Sequence, residues 1–271
     1  MPATLADVQS VVETLWPRSG AESWDAVGLV AGDPDAEVRS IRLAVDAVLD
    51  TVDEAVASGD QLLLTHHPLL LRGVTSVAED RYKGAVLARL IRGGCALLAA
   101  HTNADVVADG TSAVFARRLG LTGLRPLETA ADGVTGLGRV GELPTAVPLG
   151  RFASAVAEAL PATAQGVRVA GEYERPVRTV ALCAGAGDSL LQHPAVLAAD
   201  VYVTSDLRHH PASEAAEAAR LSRGPALVDV SHWASEWLWL EVAAEQLRAA
   251  LPGVAVAVSE LRTDPWDFAI V

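Results

Sequence analysis

Lysine occurs once in this chain, at Lys83, and cysteine only twice, at Cys95 and Cys183. Both cysteines sit inside apolar segments, Gly94-Cys95-Ala96-Leu97-Leu98 and Val180-Ala181-Leu182-Cys183. That leaves no disulfide framework and no thiolate spacing for a metal, and it implies buried thiols in a reducing compartment. The scarcity of lysine beside abundant arginine reads as the codon bias of a GC-rich genome. A basic surplus is also missing: 21 Lys and Arg stand against 34 Asp and Glu, a net charge of −13. Such a chain repels phosphate backbones, so nucleic acid is not expected as a main partner. The carboxylates suit cation binding or simply a soluble surface. No apolar run reaches membrane-spanning length, and Met1–Asp7 lacks a basic or apolar leader segment. A cytoplasmic protein with no membrane partner is therefore expected.

What is present is a core. The chain of 271 residues is 51% hydrophobic with mean hydropathy +0.28, enough for one large domain or two ordinary ones. Leu5, Val8, Val12 and Leu15 fall at helical spacing behind Thr4, a candidate N-cap, and Pro17 ends that helix. Trp24–Asp33 reads as a short strand between turns. Short apolar strands at Arg39–Val45, Gln61–Leu64 and Cys95–Ala100 alternate with helices at Leu49–Ser58, Tyr82–Arg92 and Thr111–Leu119. Residues 121–147 are rich in Gly, Thr and Pro and read as a boundary near residue 125. A second series follows: strands at Val167–Ala170, Val177–Cys183, Val201–Thr204, Ala226–Val230 and Val254–Val258, with helices at Ala212–Arg220 and His232–Leu251. Strands alternating with helices of about ten residues imply crossover connections. The expected class is α/β, with two α/β halves, 1–125 and 126–271, and mostly parallel or mixed sheets. The last helix and strand are candidates to pack back on the first half.

Three apolar strands run straight into polar clusters. Leu62-Leu63-Leu64-Thr65 stops at His66-His67-Pro68, the Cys95–Ala100 strand at His101-Thr102-Asn103-Ala104-Asp105, and the Ala226–Val230 strand at Ser231-His232-Trp233-Ala234-Ser235-Glu236. In open α/β sheets the ligand crevice lies at the carboxyl ends of strands. His232 and Glu236 are four apart on one helix face, and His101 and Asp105 share the same spacing. The adjacent His66 and His67, at a strand end bending into a loop, can line one pocket and point to two different ions. Imidazoles and carboxylates without thiolates suit two divalent ions of the zinc, iron, manganese, cobalt or nickel type. Two-metal sites clamp the attacking and leaving oxygens of an ester or amide. Asp25, beside Trp24, is either a support for such a site or a turn former. Gly185-Ala186-Gly187-Asp188-Ser189 is either an anion-holding turn or a structural one. In Thr204-Ser205-Asp206-Leu207-Arg208-His209-His210-Pro211, Arg208, His209 and His210 either contact a phosphate or serve as proton donors, or they belong to a polar turn in which Asp206 or Ser213 caps a helix.

Ser23-Trp24-Asp25, Leu64-Thr65-His66-His67-Pro68, His101-Thr102-Asn103 with Asp105, Gly136-Leu137-Gly138-Arg139-Val140-Gly141, Thr204-Ser205-Asp206 and the final His232-x-x-x-Glu236 helix occur in this order. Together they resemble the family named GTP cyclohydrolase 1 type 2 homologues, Nif-three-like hexameric proteins with a dinuclear metal centre. The resemblance spans nearly the whole chain, and the span between its halves is too short for the extra domain of longer members. It implies a dinuclear site in a cleft between two α/β halves, and a toroidal homohexamer. The implied ligands are His66, His67, Asp105, His232 and Glu236, with His101 a sixth ligand or a proton shuttle. Ala26 stands where the family often has Asn, and Ser205 and Ser231 where Gly is common; no ligand is lost, and whether the pocket rim, and hence the substrate, is the family's usual one stays open. A metal-dependent hydrolase of a nucleotide-like or phosphorylated small molecule, with Arg208 and His210 contacting substrate, is one functional expectation. A non-catalytic metal-binding or regulatory interaction scaffold is the other.

Overall fold

The computed structural model describes residues 2–222 and 224–270. One unit comprises Met1–Val107 and Leu240–Thr263, and a second comprises Ala108–Trp239 and Asp264–Val271.

In the first unit the helix Leu5–Leu15 buries Leu5, Val8 and Val12. Its start is fixed by reciprocal bonds: the Asp7 N–H donates to the Thr4 hydroxyl and the Thr4 N–H to the Asp7 carboxylate. The sheet has five strands in the order Ala255–Val258, Ser40–Ala44, Leu62–Thr65, Ala96–Ala99, Gly28–Ala31. The first four run parallel, and Gly28–Ala31 closes one edge antiparallel. Leu62, Leu63 and Leu64 are all inaccessible. A strand covered on both faces needs an unbroken apolar run, which is why no alternation marks it in the sequence. The helices Leu49–Ala57 and Tyr82–Arg92 supply the crossovers, packing Val52, Ala55, Val86 and Leu90 with Leu63 and Leu97. The late half of the helix His232–Ala250 contributes the buried Leu240, Ala243, Ala244 and Leu247.

The second unit holds a six-stranded sheet in the order Arg168–Ala170, Ala226–Val230, Val201–Ser205, Pro176–Ala186, Arg139–Pro148, Thr122–Arg125. Its three middle strands, Ala226–Val230, Val201–Ser205 and Pro176–Ala186, are parallel to one another; the outer pairings are antiparallel. Leu149, Phe152 and Val156 of the helix Leu149–Ala159 pack on Val177, Val180 and Val201. The Gly-, Thr- and Pro-rich residues 121–147, to which the sequence assigns no strand, contain Thr122–Arg125 and most of the ten-residue strand Arg139–Pro148. Pro144 is tolerated because the pairing with Pro176–Ala186 skips from Glu142 to Val147, so no ladder bond requires its missing N–H.

The first unit thus places four adjacent parallel strands side by side and the second three, each set with its carboxyl ends on one edge of its own sheet. Among the described residues, no helix is long and apolar enough to cross a membrane.

Candidate metal centre

In the first unit the shared edge is registered by backbone bonds that outlast the strands. The His66 N–H donates to the Ala44 carbonyl at 3.0 Å, the His67 N–H to the Val45 carbonyl at 2.8 Å, and the Ala100 N–H to the Thr65 carbonyl at 2.9 Å. Asp46, His66, His67 and His101 are therefore delivered side by side by the three strands they follow. Ring centroids lie 5.2 Å apart for His66 and His67, 5.2 Å for His66 and His101, and 5.5 Å for His67 and His101. Each of the three offers a ligand atom within 4.8 Å of the others.

What orients these rings is one recurring contact. His66 Nδ1 lies 2.9 Å from the Ala100 carbonyl, His67 Nδ1 2.7 Å from Asp46 Oδ1, and His101 Nδ1 2.9 Å from Asp25 Oδ1. An oxygen facing Nδ1 accepts a hydrogen bond from the Nδ1–H, and the lone pair is left on Nε2. Metal-binding histidines have this second-nitrogen support. The Asp25 side chain is wholly buried and carries more than one load: its Oδ2 accepts from the Thr102 N–H at 3.0 Å and the Thr102 hydroxyl at 2.5 Å, and its Oδ1 from the Ala26 N–H at 2.7 Å. Burial pushes its carboxyl pKa up, yet the bonds from Thr102 and His101 prevail and hold it below the usual carboxylate range. His101 goes the other way: burial and its neighbour His66 hold its pKa below the ordinary imidazole value. Asp105, closing the short helix Thr102–Asp105, puts Oδ1 3.7 Å from His66 Nε2. That exceeds a hydrogen bond but suits two donors sharing one ion at bonds of about 2 Å.

The second unit repeats the scheme. His232 follows the Ala226–Val230 strand and opens its helix; its Nδ1 lies 2.7 Å from Asp206 Oδ2 and its Nε2 3.0 Å from Glu236 Oε1. Asp206 follows the neighbouring Val201–Ser205 strand with φ of 58°, a left-handed conformation that Asp tolerates better than most residues. Burial pulls the His232 pKa down, but the Glu236 and Asp206 carboxylates outweigh it and hold it well above the ordinary value. Gly185, near the end of Pro176–Ala186, has φ of 71°, and a Cβ there would lie 2.4 Å from Glu236 Oε1 and 3.3 Å from His232 Nε2. Its N–H donates to the Ser235 hydroxyl, which donates to the His232 carbonyl. Backbone without a side chain thus lies against the His232 and Glu236 head groups.

Of the residues selected from sequence, His66, His67, His101 and Asp105 come together in the first unit, and His232 meets Glu236 in the second. Arg208 is exposed and bound to Asp188, through Nε at 2.9 Å and Nη2 at 2.5 Å; His210 is exposed in the first turn of the helix His209–Ser222. The sequence assigns no role to Asp46, and Asp206 enters only as a helix cap or as part of the Thr204-Ser205-Asp206 motif, with no bond to His232 foreseen. Their one signal is position, a carboxylate one or two residues beyond a buried strand that neighbours a histidine-ended strand.

The donor chemistry fits a divalent metal. Both cysteines are buried, and each thiol donates to the carbonyl of the next residue, so thiolate ligation plays no part. The paired carboxylates that favour a proton on His232 equally favour a cation in its place. These groups of His, Asp and Glu can bind a metal.

The chain is 48% identical over 269 residues to the GTP cyclohydrolase 1 type 2 homolog of Streptomyces coelicolor, covering 97% of this chain and 93% of that one. It is 30% identical over 266 residues to the protein of the same name from Clostridium perfringens, covering 97% and 99%. The crystal structure of a Staphylococcus aureus hypothetical protein superposes with a TM-score of 0.89 at 27% identity, covering 99% of this chain and 100% of that one. The sequence model of Duf34/NIF3, NGG1p interacting factor 3, matches residues 3–265, and the chain belongs to this family.

Proposed function

We propose that the protein binds two divalent metal ions and uses them to hydrolyse a nucleotide-like or otherwise phosphorylated small molecule. The observation that carries this reading is the anchoring of four imidazoles, His66, His67, His101 and His232, each by an oxygen at Nδ1. Four such contacts, at the ends of buried parallel strands, match what metal ligation requires and what bare folding does not. His66, His67, Asp105, His232 and Glu236 are the ligands, with zinc, iron, manganese, cobalt and nickel the ions compatible with them. Divalent ions supply Lewis-acid polarisation and water activation near neutral pH. His101, whose pKa burial and the neighbouring His66 hold below the ordinary imidazole value, exchanges a proton with substrate or water. Arg208 and His210 contact the anionic part of the substrate. The chain works in the cytoplasm as a homohexamer.

A second reading is a metal-binding scaffold without turnover. The engagement of Arg208 by Asp188 favours it, since a guanidinium neutralised by a carboxylate offers less to a phosphate.

Metal-depleted protein reloaded with manganese, zinc or iron, and offered a nucleotide panel, separates the two. The hydrolase reading expects turnover that Glu236→Ala abolishes while circular dichroism is unchanged. Uptake of two ions per chain without turnover supports the scaffold. No metal uptake overturns both.

A further inference from the structure

Two consecutive residues far from every candidate ligand in sequence, Thr263 and Asp264, are each bonded to the support of one. The Thr263 hydroxyl donates to Asp46 Oδ2 at 2.5 Å, and the other oxygen of that carboxylate holds His67 Nδ1. The Ser231 hydroxyl donates to Asp264 Oδ2. Ser231 immediately precedes His232, and its hydroxyl oxygen accepts the Ala234 N–H at 3.2 Å, the bond of an N-cap. Asp264 is buried, and its Oδ1 accepts the Trp266 N–H, which fixes the carboxylate plane. The first contact lies within the first unit and the second within the second.

We propose that the Thr263-Asp264 dipeptide is a positioning element for the metal-binding residues of both units. Thr263 acts through Asp46 on the tautomer and tilt of His67. Asp264 acts through Ser231 on the helical turn that carries His232 and Glu236. The chemistry is that of aligned hydrogen bonds. A carboxylate receiving a hydroxyl on one oxygen has the other aimed at a single direction. A serine whose proton is committed to a carboxylate has its lone pair turned to the helix N–H. Neither residue is a ligand, and the metal-affinity part of the proposal rests on the reading given above.

The test compares wild type with Thr263→Val, Thr263→Ser, Asp264→Ala, Asp264→Asn and the exposed control Glu260→Gln. Zinc and manganese affinities are measured by competition with a chromophoric chelator, and imidazole 15N shifts are recorded in metal-free protein. Thr263→Val is expected to weaken one ion tenfold or more and to let His67 populate its second tautomer, while Thr263→Ser restores both. Asp264→Ala is expected to weaken uptake by a similar factor, while Asp264→Asn, which keeps an acceptor for Ser231, retains most of it. Glu260→Gln leaves everything unchanged. Wild-type affinity and a wild-type His67 tautomer in Thr263→Val overturn the Thr263 assignment; unchanged uptake in Asp264→Ala overturns the other. If wild type takes up no metal, the proposed function falls, and the metal-free 15N shifts alone still decide whether Thr263 positions His67.

Discussion

Asp25 and His101 are 76 residues apart in the chain and meet through Oδ1 and Nδ1 at 2.9 Å. The Asp25 side chain is buried and also accepts from Thr102 and Ala26, which fixes the direction its carboxylate faces. Asp25→Asn turns one acceptor into a donor beside groups that themselves donate. The expected outcome is a loss of about 1–3 kcal/mol in metal-free urea unfolding. Chelator competition should show metal affinity reduced by about 10-fold to 100-fold.

The same residue gives a pH dependence with a definite sign. The folded-state pKa of Asp25 lies below its unfolded value, so its contribution is complete above the unfolded pKa of about 4 and disappears as the pH falls through the folded value. Unfolding in EDTA at pH 7, 5 and 3 should show wild type and Asp25→Asn converging toward the acid end. A gap that stays constant to pH 3 contradicts the assignment.

Gly185 and Gly120 separate backbone strain from head-group collision. Both have positive φ, 71° and 73°, but a Cβ on Gly120 meets nothing within 4 Å, whereas one on Gly185 collides with Glu236. Gly120→Ala should cost roughly 1–2 kcal/mol by urea unfolding and leave metal uptake intact. Gly185→Ala should cost more and displace Glu236, so that metal uptake falls as well.

Burial pushes the Cys95 thiol up to about 12, and Cys183 is buried too. Native protein at pH 8 should therefore take up no aromatic disulfide reagent, with both thiols appearing in denaturant. Fast labelling of either in the folded state runs against this packing.

The strand ends that carry His66, His67, His101 and His232 are legible in the sequence, because strands buried on both faces must be apolar throughout and stop abruptly where chemistry begins. The helix Tyr82–Arg92 and the strand Ala226–Val230 even carry the bounds the pattern implies. The strand Arg139–Pro148 is not legible: Gly141 and Pro144 are residues that strands disfavour, and only the skipped pairing with its neighbour accommodates the proline. The carboxylates Asp46 and Asp206 are illegible for a different reason. A lone Asp after a strand is ordinary turn chemistry, and its bond to an imidazole 21 or 26 residues away exists only in three dimensions. Thr263 and Asp264 carry no motif at all, yet one braces Asp46 and the other the cap of the His232 helix.

The edge strand Ala255–Val258 pairs with Ser40–Ala44. During synthesis, therefore, the sheet that is begun first is finished last. The chain from residue 45 to residue 254 leaves the ribosome while Ser40–Ala44 still has one side of its backbone waiting for a partner. That side is parallel-pairing backbone beside apolar faces, the kind of surface that recruits neighbouring nascent chains. The five-stranded sheet is complete only once residues 255–258 have emerged and returned to that strand.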